Sequence, residues 1–442
     1  MEILIKALQL ISSLAILILI HELGHFIPSK LFKIRVDKFY LFFDPWFSLF
    51  KFKRKDTEYG IGWLPLGGYC KISGMIDESM DKEQMKQPPQ PWEFRSKPTW
   101  QRLIVMLGGV TMNLVLAILI YIVMLSVWGE EYLPTANVKY GITVDATAEE
   151  MGLRNGDKIL SLDNKVVEDF YKITAVIILD NPKTIQVERD GKKLDITIPN
   201  GTIAKIIKNS KKSADLIGVR IPFEVGSFTK DSPGKTAGLK EGDKLIGIND
   251  VQTNYFDEFR KEIVKHKNQQ VVIIALRLKD TIKINLKVPN DGLIGIGGKN
   301  ITNYFTFSKK EYSIFEAIPA GTVKAYNSIT NYIKQLRLIF SPETKAYESL
   351  GGFIAIGNIF PAEWHWQSFW GLTAFLSVIL AIMNVLPIPA LDGGHVLFLL
   401  YEIITRRKPS DKFMEYAQIV GMVILLGLLV YANGNDIVKL FR

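Results

Sequence analysis

The sequence predicts a multi-domain membrane protein with an α-helical core of four spans, a re-entrant β-loop and two similar β-rich domains. Four stretches are apolar enough, and long enough, to cross a bilayer. A charged, strand-rich region between the second and the third stretch contains an internal repeat. The 442 residues are also 48% hydrophobic with a mean hydropathy of +0.14, values that are high for a soluble protein. A membrane core that carries soluble domains accounts for all three observations.

The charge and the cysteine content limit the classes of partner and site. Lysine and arginine outnumber the acidic residues and give a net charge of +9, but they are spread along the chain and accompany no nucleic-acid-binding motif. We therefore expect no nucleic-acid partner, and we interpret the basic residues as determinants of orientation in a lipid bilayer. The one cysteine, Cys70, excludes an internal disulfide and a cysteine-rich metal site. Any metal would be held by histidine and carboxylate.

Residues 1–28 are predicted to form the first span, and they contain the pattern His-Glu-x-x-His. Helical spacing places His21 and His25 on one face, close enough to hold a single Zn²⁺, and Glu22 beside them is suited to act as a general base. Charged residues are costly inside a membrane, so their presence there indicates a function. The alternative is a buried helix of a soluble domain whose histidines are satisfied by backbone groups.

Residues 29–102 are predicted to form a loop on the cytosolic side, because basic residues are abundant in it and the positive-inside rule then places the N-terminus outside. Within this loop, Tyr59–Tyr69 is too apolar for a solvated hairpin and too short to span a bilayer. We expect a re-entrant β-loop in which Gly67, Gly68 and Tyr69 contact an extended substrate by strand addition. A small soluble sheet is the alternative.

The charged, proline-containing segment Met75–Pro98 is expected to be a loop, and residues 103–128 form the predicted second span. Asn113 lies inside this span. A polar amide in a membrane helix serves either as a hydrogen bond between helices or as an accessory group of a buried site, and the sequence favours neither role.

Residues 138–212 and 213–298 are predicted to be two copies of one domain. The segment Ala148–Asn164 recurs as Pro233–Asp250, with Gly-Leu and Gly-Asp-Lys at matching positions 86 residues apart. This pattern resembles the PDZ domain, and the resemblance implies two peptide-binding β-sandwiches with a groove at a sheet edge. The histidine of this region, His266, is expected at the surface.

Residues 299–368 are predicted to link the repeats to the third span. Ile314–Phe340 shows the periodicity of an amphipathic helix, which we expect to be broken at Pro319 and Gly321 and to connect to the membrane or rest on it. His365 lies among tryptophans and is expected to belong to an interfacial belt rather than to a metal site.

Residues 369–404 are predicted to form a third span that is interrupted within Asn384–Gly394, where two prolines and two glycines oppose a regular helix. Such a break is tolerated in a membrane only where it lines a cavity. Asp392 in this break would complete a set of two imidazoles and one carboxylate, the three protein ligands of a catalytic zinc. His395 has either a structural role or a role as a partner of a ligand.

The fourth span is predicted at residues 414–433, after a second basic loop. Four spans with both basic loops in the cytosol place the repeats on the opposite side of the membrane. The topology that the charges predict is therefore self-consistent.

Three motifs in this order resemble the site-2 protease family, in particular the bacterial regulator-of-sigma-E proteases. They are His-Glu-Leu-Gly-His in the first span, the tandem repeats, and Asn-Val-Leu-Pro-Ile-Pro-Ala-Leu-Asp-Gly-Gly near the third span. The resemblance covers essentially the whole chain, with one departure at Leu350–Gly357, where relatives often carry Gly-Pro. The site residues that it implies are the zinc ligands His21, His25 and Asp392, the base Glu22, and Asn384 for substrate or oxyanion binding.

The resemblance further implies a zinc endopeptidase that cuts single-pass membrane proteins within the bilayer. Its substrate would be an anti-sigma factor already cleaved outside the membrane, or a remnant signal peptide. The implied location is the bacterial inner membrane, with the repeats in the periplasm and the active site toward the cytosol. The repeats would either exclude substrates with bulky outer domains or recruit a substrate through its new C-terminus.

Two other classes of function fit parts of the sequence. A catalytically silent membrane receptor that binds peptides through the repeats leaves Glu22 and Asp392 without a purpose. A metal transporter would use the intramembrane ligands, but it is expected to have polar residues in several spans, and they are evident in only two. We therefore expect a hydrolase, and a Glu22→Gln variant distinguishes it from both alternatives.

Overall fold

The computed structural model describes residues 1–75, 87–209 and 215–441. Residues 76–86, the central part of the segment expected to be a loop, lie outside the described residues, and so does the predicted boundary between the repeats at 212/213. The chain forms two compact units. The first comprises Met1–Gly129, Glu311–Arg337 and Tyr347–Arg442, and the second comprises Glu130–Lys310 and Leu338–Ala346.

The described residues form long apolar helices, shorter helices and short strands, numbered here in chain order. The helices are α1 (Glu2–Leu31), α2 (Thr99–Trp128), α3 (Ala146–Glu150), α4 (Ile173–Asp180), α5 (Thr202–Asn209), α6 (Pro233–Thr236), α7 (Phe256–Ile263), α8 (Ile314–Phe340), α9 (Phe353–Asn358), α10 (Trp366–Val385), α11 (Asp392–Thr405) and α12 (Asp411–Leu440). The strands are β1 (Val36–Leu41), β2 (Phe43–Arg54), β3 (Thr57–Leu64), β4 (Tyr69–Ile72), β5 (Glu130–Tyr132), β6 (Ile142–Val144), β7 (Lys158–Leu162), β8 (Thr184–Arg189), β9 (Lys192–Thr197), β10 (Ile217–Val219), β11 (Val225–Phe228), β12 (Lys244–Ile248), β13 (Val251–Gln252), β14 (Gln270–Arg277), β15 (Asp280–Lys287), β16 (Ile296–Gly298) and β17 (Ser308–Lys310).

Among the described residues, four helices are long and apolar enough to cross a membrane by length and composition: α1, α2, α10 and α12. Each overlaps a segment where the sequence predicts a span. The predicted combination of apolar membrane helices with β-sheets is confirmed. In the third of these segments, α10 ends at Val385 and α11 begins at Asp392. Pro387 and Pro389, which lie between them, separate the two helices, as the conformational preferences of proline require.

Helices α1 and α2 contact each other at two glycines, Gly24 and Gly108. A Cβ atom at Gly24 would lie 2.3 Å from the carbonyl oxygen of Gly108, and a Cβ atom at Gly108 would lie 1.9 Å from the carbonyl oxygen of Gly24. Only residues without a side chain permit contact of this kind, which is common between membrane helices. The two backbones therefore touch directly at this level.

Helix α10 joins this pair through buried hydroxyl groups. Thr373 Oγ1 donates a hydrogen bond of 3.0 Å to Ser13 Oγ on α1, and Ser377 Oγ donates one of 2.8 Å to the carbonyl oxygen of Asn113 on α2. Such bonds join membrane helices because hydrocarbon offers a hydroxyl group no other partner. Helices α1, α2 and α10 thus form the core that positions the candidate site.

Strands β1 to β4 form one sheet in the order β2-β3-β1-β4, in which β1 and β3 are parallel and the other pairs are antiparallel. The segment expected to be a β-loop supplies the end of β3, the turn after it and the start of β4. Val36 and Ile72 of this sheet share an apolar cluster with Met106 of α2. The edge strand β2 carries exposed aromatic rings, and Trp46 is 91% exposed. Aromatic rings in such positions are typical of a membrane interface.

Helix α8 runs without interruption from Ile314 to Phe340, so the expected break at Pro319 and Gly321 is wrong. Pro319 lies near the start of the helix, where it removes one backbone hydrogen bond and the following turns continue. Gly321 serves close packing instead, because a Cβ atom there would lie 2.7 Å from the side chain of Ile122 on α2.

Helix α12 is held near its C-terminal end by a buried carboxylate. Asp436 accepts hydrogen bonds of 2.8 and 2.9 Å from the backbone N–H groups of Gly352 and Ala355. These groups lie at the start of α9, where a helix has free N–H donors. The segment Leu350–Gly357 is therefore fixed by contacts with α12.

The described residues of the second unit form two apolar cores. Sheets β7-β8-β9 and β6-β10 contribute to the first core, and sheets β13-β12-β14-β15 and β11-β16 contribute to the second. Strand β10 follows the predicted end of the first repeat, yet it pairs with β6 and adds Ile217 to the first core. Phe305, from the predicted linker, also belongs to the first core. The chain therefore returns to the first domain after the second, and β17 then pairs with β5.

Each domain of this unit contains the same ion pair. Asp157 accepts two hydrogen bonds of 2.7 Å from the guanidinium group of Arg189, and Asp243 accepts two of 2.7 Å from Arg277. The aspartates belong to the repeated Gly-Asp-Lys motif, whereas the arginines lie well beyond it. The two domains therefore share this ion pair in addition to the repeated sequence motif.

Candidate metal centre

Helix α1 places the residues of the His-Glu-x-x-His pattern beside one cavity. Four residues make little more than one helical turn, so His21 and His25 lie on one face, and their Nε2 atoms are 3.3 Å apart. The side chains of His25 and Glu22 are buried. Local helical geometry alone is enough to bring these groups together.

Asp392 reaches the histidines because the chain breaks before it. Its Oδ2 atom lies 3.2 Å from His21 Nε2 and 3.3 Å from His25 Nε2. Two glycines make the turn into α11 possible. A Cβ atom at Gly393 would lie 2.3 Å from a carbonyl oxygen of the preceding turn, and one at Gly394 would lie 2.6 Å from a backbone atom of the break. Larger residues at these positions would push Asp392 away from the histidines.

The second nitrogen of each imidazole faces a group on α2. His25 Nδ1 lies 2.8 Å from the carbonyl oxygen of Val105, which can only accept a hydrogen bond, so this nitrogen carries a proton. His21 Nδ1 lies 3.1 Å from the side-chain amide of Asn113. Neighbours of this kind fix the ring orientation and direct Nε2 at a metal. The hydrogen bond of Asn113 therefore both joins two helices and contacts a candidate ligand.

The three side chains fit a zinc ion. Ligand atoms about 2.0–2.1 Å from a common tetrahedral centre lie about 3.3 Å apart, and the three candidate atoms are 3.2 to 3.3 Å apart. Within the described chain, Asp392 Oδ2 is buried and accepts no hydrogen bond. A single proton can form a hydrogen bond between only two of these three atoms, whereas a metal cation can be bound by all three. His21, His25 and Asp392 are thus arranged to hold a metal ion together.

A cavity of about 520 Å³ adjoins this cluster. Besides Glu22 and the three candidate ligands, its wall contains the other residues that the sequence predicts to bind substrate: Gly67, Gly68, Tyr69 and Asn384. The volume lies in the range of ligand-binding pockets. Asn113 is not part of the wall and instead contacts His21 from α2.

Strand β4 is an edge strand of its sheet, and Tyr69 at its start lies in the cavity wall. Gly68, directly before it, has no room for a side chain, because a Cβ atom there would lie 2.6 Å from Ile18 and 3.6 Å from Glu22 Cγ. The backbone therefore passes beside the candidate base. Among the described strands, β4 has a neighbour on one side only.

Two residues of the site were not identified from the sequence. Gln418 of α12 is buried in the cavity wall, and its only signal is a polar amide within an apolar span. Gly109 of α2 gives the imidazoles room, since a Cβ atom there would lie 2.5 Å from a ring nitrogen. His395 also lines the cavity. His266 and His365 lie outside this wall and contact Glu262 and Ser368 instead.

Comparisons with known proteins agree with this geometry. The profile of peptidase family M50 matches residues 9–428. A Campylobacter jejuni protein, whose name assigns it to the zinc metalloproteases, is 26% identical over 99% of this chain and 94% of its own length. A similarly named Fusobacterium nucleatum protein is 28% identical over 97% of both chains. The metalloprotease MmpA of Caulobacter vibrioides is 25% identical over 98% of this chain and 96% of its own.

The family profile covers nearly the whole chain, and the relatives are similar over nearly their full lengths. The names of these relatives indicate metalloprotease chemistry, and zinc is the metal that two of them name. The apolar helices agree with a membrane location. The chain therefore belongs to peptidase family M50, and it is a membrane zinc metalloprotease of the site-2 protease type.

Proposed function

We propose that the protein hydrolyses single-pass membrane proteins within the bilayer, at the cluster of His21, His25 and Asp392. The observation that supports this most directly is the convergence of the three side chains beside a cavity that also contains Glu22. The helices that position them are apolar enough to cross a membrane. A site of this kind meets substrates that are themselves membrane segments.

His21 and His25 would hold Zn²⁺ through Nε2, and Asp392 would hold it through Oδ2. When bound, the ion would polarise a peptide carbonyl group and lower the pKa of water at the site. Glu22 accepts a proton from the attacking water as general base and delivers it to the leaving amine as general acid. Burial of Glu22 in the cavity wall keeps its carboxylate near the reacting groups.

The substrate must be held as an extended strand. The peptide bonds of a helix are engaged in internal hydrogen bonds, so a membrane helix has to unwind locally before hydrolysis. Strand β4 pairs with β1 on one side and lines the cavity. An unwound substrate adds to the other side of β4 by main-chain hydrogen bonds. The absence of a side chain at Gly68 lets the backbone just before β4 lie against Ile18, close to Glu22.

Asn384 is the proposed contact for the substrate carbonyl group. It lies in the cavity wall near the C-terminal end of α10. An amide N–H group in a site that excludes water stabilises the negative charge that develops on the carbonyl oxygen, and loss of such a donor lowers kcat by about 10²–10³-fold. Asn384→Leu should therefore lower kcat more than it raises KM.

We place the protein in the bacterial inner membrane, with two PDZ-like repeats in the periplasm and the active site toward the cytosol. The positive-inside rule supports this orientation, because both basic loops then face the cytosol. Repeats on the outer side cannot present the scissile bond to the site. They act as a gate that rejects a substrate with a bulky outer domain and admits a trimmed one, such as an anti-sigma factor after a first cleavage.

The test is cleavage of a single-pass substrate in membranes. The wild-type protein should cut it and carry about one zinc ion per chain. Glu22→Gln should retain zinc and lose cleavage, because an amide does not accept the proton. Alanine at any of the three ligands should lower the zinc content. His365→Ala, which changes a histidine outside the cavity, is the matched control and should keep both properties.

Two results of this experiment would contradict the proposal. Full activity of Glu22→Gln would remove its catalytic role. Binding of the substrate by the wild-type protein without cleavage, in the presence of zinc, would instead support a receptor that recognises peptides through the repeats.

A further inference from the structure

A second cavity lies at the C-terminal end of α1 and has a volume of about 730 Å³. It shares no lining residue with the cavity of the metal centre. Its charged lining consists of five cations and one carboxylate: Lys30, Lys33, Arg35, Arg54, Lys55 and Asp56. We refer to it as the basic cavity. Like charges at this density repel one another unless an anion lies among them.

Few of these cations are neutralised by the protein itself. Arg35 forms an ion pair of 2.9 Å with Asp37. In the part of the chain that the structure describes, no carboxylate forms an ion pair with Lys33, Arg54 or Lys55. The basic cavity therefore presents several positive charges that are available to a ligand.

One of the cations is held in position by buried groups. Lys30 Nζ donates a hydrogen bond of 2.8 Å to Thr57 Oγ1 and lies 5.4 Å from the centre of the Phe26 ring. Thr57 is buried and donates its own hydrogen bond to the carbonyl oxygen of Val36 at 2.7 Å. An ammonium group that is already fixed loses little conformational entropy when an anion binds.

Two further lysines occupy backbone positions that favour glycine. The φ angles of Lys33 and Lys55 are +56° and +54°, in the left-handed region. Lys33 ends α1 in a Schellman motif, in which its N–H bonds the carbonyl oxygen of Lys30 and the Ile34 N–H bonds that of Ser29. Glycine would make the same turns with less strain. The backbone conformation therefore gives no reason for a lysine at either position. Both lysines line the basic cavity, and we take this shared position as the reason for their charge.

The basic cavity lies at the level of lipid headgroups. Helix α1 has 30 residues, whereas about 20 suffice to cross the hydrocarbon core, so its last turn, which contains Lys30, emerges at the membrane surface. Tyr59 and Trp92, of the residue types that are enriched at membrane interfaces, also line the basic cavity. Basic pockets at this level attract anionic lipids. We propose that the basic cavity binds the phosphate headgroup of an anionic phospholipid, a property that does not depend on the protease activity.

The test uses the full-length protein in a neutral detergent. Dissociation constants are measured by native mass spectrometry for phosphatidylglycerol and phosphatidylcholine with the same acyl chains. Lys33→Gly and Lys55→Gly should each weaken binding of phosphatidylglycerol about fivefold, the effect of one cation near a membrane surface. Binding of phosphatidylcholine should not change.

Arg406→Gly is the matched control. Arg406 has a φ of +57°, so its replacement removes one cation and one left-handed residue, but it lies outside the basic cavity. It should leave phosphatidylglycerol binding unchanged. The glycine variants should melt at or above the wild-type temperature, because glycine relieves the strained backbone. Lys33→Asn and Lys55→Asn, which also tolerate this conformation, should give the same loss of binding.

Three results would overturn the proposal. An equal loss in Arg406→Gly would mean that binding depends on net charge alone. Equal affinity for the two lipids would exclude recognition of the anionic headgroup. Displacement of the lipid by inorganic phosphate at a similar concentration would assign the basic cavity to a soluble phosphate compound instead of a lipid.

Discussion

Asn113 contacts the metal centre from the neighbouring helix. Its Nδ2 atom lies 3.1 Å from His21 Nδ1, and its Oδ1 atom has no hydrogen-bond partner among the described residues. Turning the amide group over lets Oδ1 accept a hydrogen bond from His21 Nδ1, as the Val105 carbonyl oxygen does for His25. Both Nε2 atoms then face Asp392 as unprotonated metal ligands.

Asn113→Leu should therefore weaken zinc binding about 10–100-fold, the usual effect of losing a hydrogen-bond partner of a ligand. Asn113→Asp keeps an acceptor oxygen and should retain most of the affinity. Competition with a chelator measures both values. Unchanged affinity in Asn113→Leu would show that the amide serves only to join α1 and α2.

Gly109 should tolerate no side chain. A Cβ atom there would lie 2.5 Å from His25 Nε2 and 2.6 Å from His21 Cε1, so alanine would displace both rings. We expect Gly109→Ala to lose zinc and proteolysis together. Gly427→Ala, at a helical glycine with no neighbouring atom within 4 Å of its Cβ position, is the control and should retain both. A zinc-loaded, active Gly109→Ala protein would contradict the geometry.

At the level of elements, the ion pair of the second repeat couples folding to pH. Burial alone would raise the pKa of Asp243, but hydrogen bonds from Arg277 and from the Lys240 N–H group hold that pKa below its ordinary value. A carboxyl group with a lowered pKa stabilises the fold above its unfolded pKa of about 4, and the contribution is lost as the pH falls through the folded pKa.

Arg277→Gln should therefore increase hydrogen exchange in β12 and β14 at pH 7 relative to the wild-type protein. The ratio of the exchange rate in Arg277→Gln to that in the wild-type protein should fall toward one as the pH drops through the lowered pKa of Asp243, because protonation of this carboxyl group removes the ion pair from the wild-type protein as well. Arg260→Gln, at an exposed arginine of the same repeat, should leave the ratio near one throughout. A ratio for Arg277→Gln that does not depend on pH would exclude the ion pair as the cause.

The elements also show why some features could be predicted and others could not. His21 and His25 were found because helical spacing is local, and the break before Asp392 was found because proline and glycine act locally. The pairing of β10 with β6 depends on a core that the whole domain forms. The continuity of α8 through Pro319 depends likewise on packing. The local sequence around a residue does not indicate its contacts with residues that are distant in the chain.

At the level of the whole molecule, strands β5 and β17 offer a way to test the gate. Tyr132 and Ser308 are paired, so the chain enters and leaves the two repeats at adjacent points. Replacing residues 133–307 with a short glycine turn should leave the membrane part folded and able to bind zinc. If the repeats exclude large substrates, this variant should cut a full-length substrate that the intact protein rejects.

The comparison needs a pre-trimmed substrate as a control, which both proteins should cut. A zinc-loaded deletion variant that still rejects the full-length substrate would contradict gating. Loss of cleavage of both substrates would instead favour recruitment, in which a repeat binds the new C-terminus that the first cleavage creates.

The orientation of the chain can be tested with cysteine labelling. Lys165 and Lys240 are exposed on the two repeats, and Cys70 is the single native thiol. In a Cys70→Ser background, cysteine at either lysine should react with an impermeant reagent in cells whose outer membrane has been opened. Reaction only after lysis would place the repeats in the cytosol and invert the topology.

The contact between Gly24 and Gly108 limits the routes by which a substrate reaches the zinc site. An extended substrate needs about 4.7 Å between its backbone and that of a neighbour. The backbones of α1 and α2 touch at Gly24 and Gly108, so they leave no gap of that width between them. This side of the active site is a fixed wall. The apolar stretch of α12 has a smaller share of buried residues, 11%, than those of α2 and α10, which have 39% each. We therefore expect a membrane segment that arrives sideways from the lipid not to enter between α1 and α2, so cross-linking α1 to α2 should leave proteolysis intact.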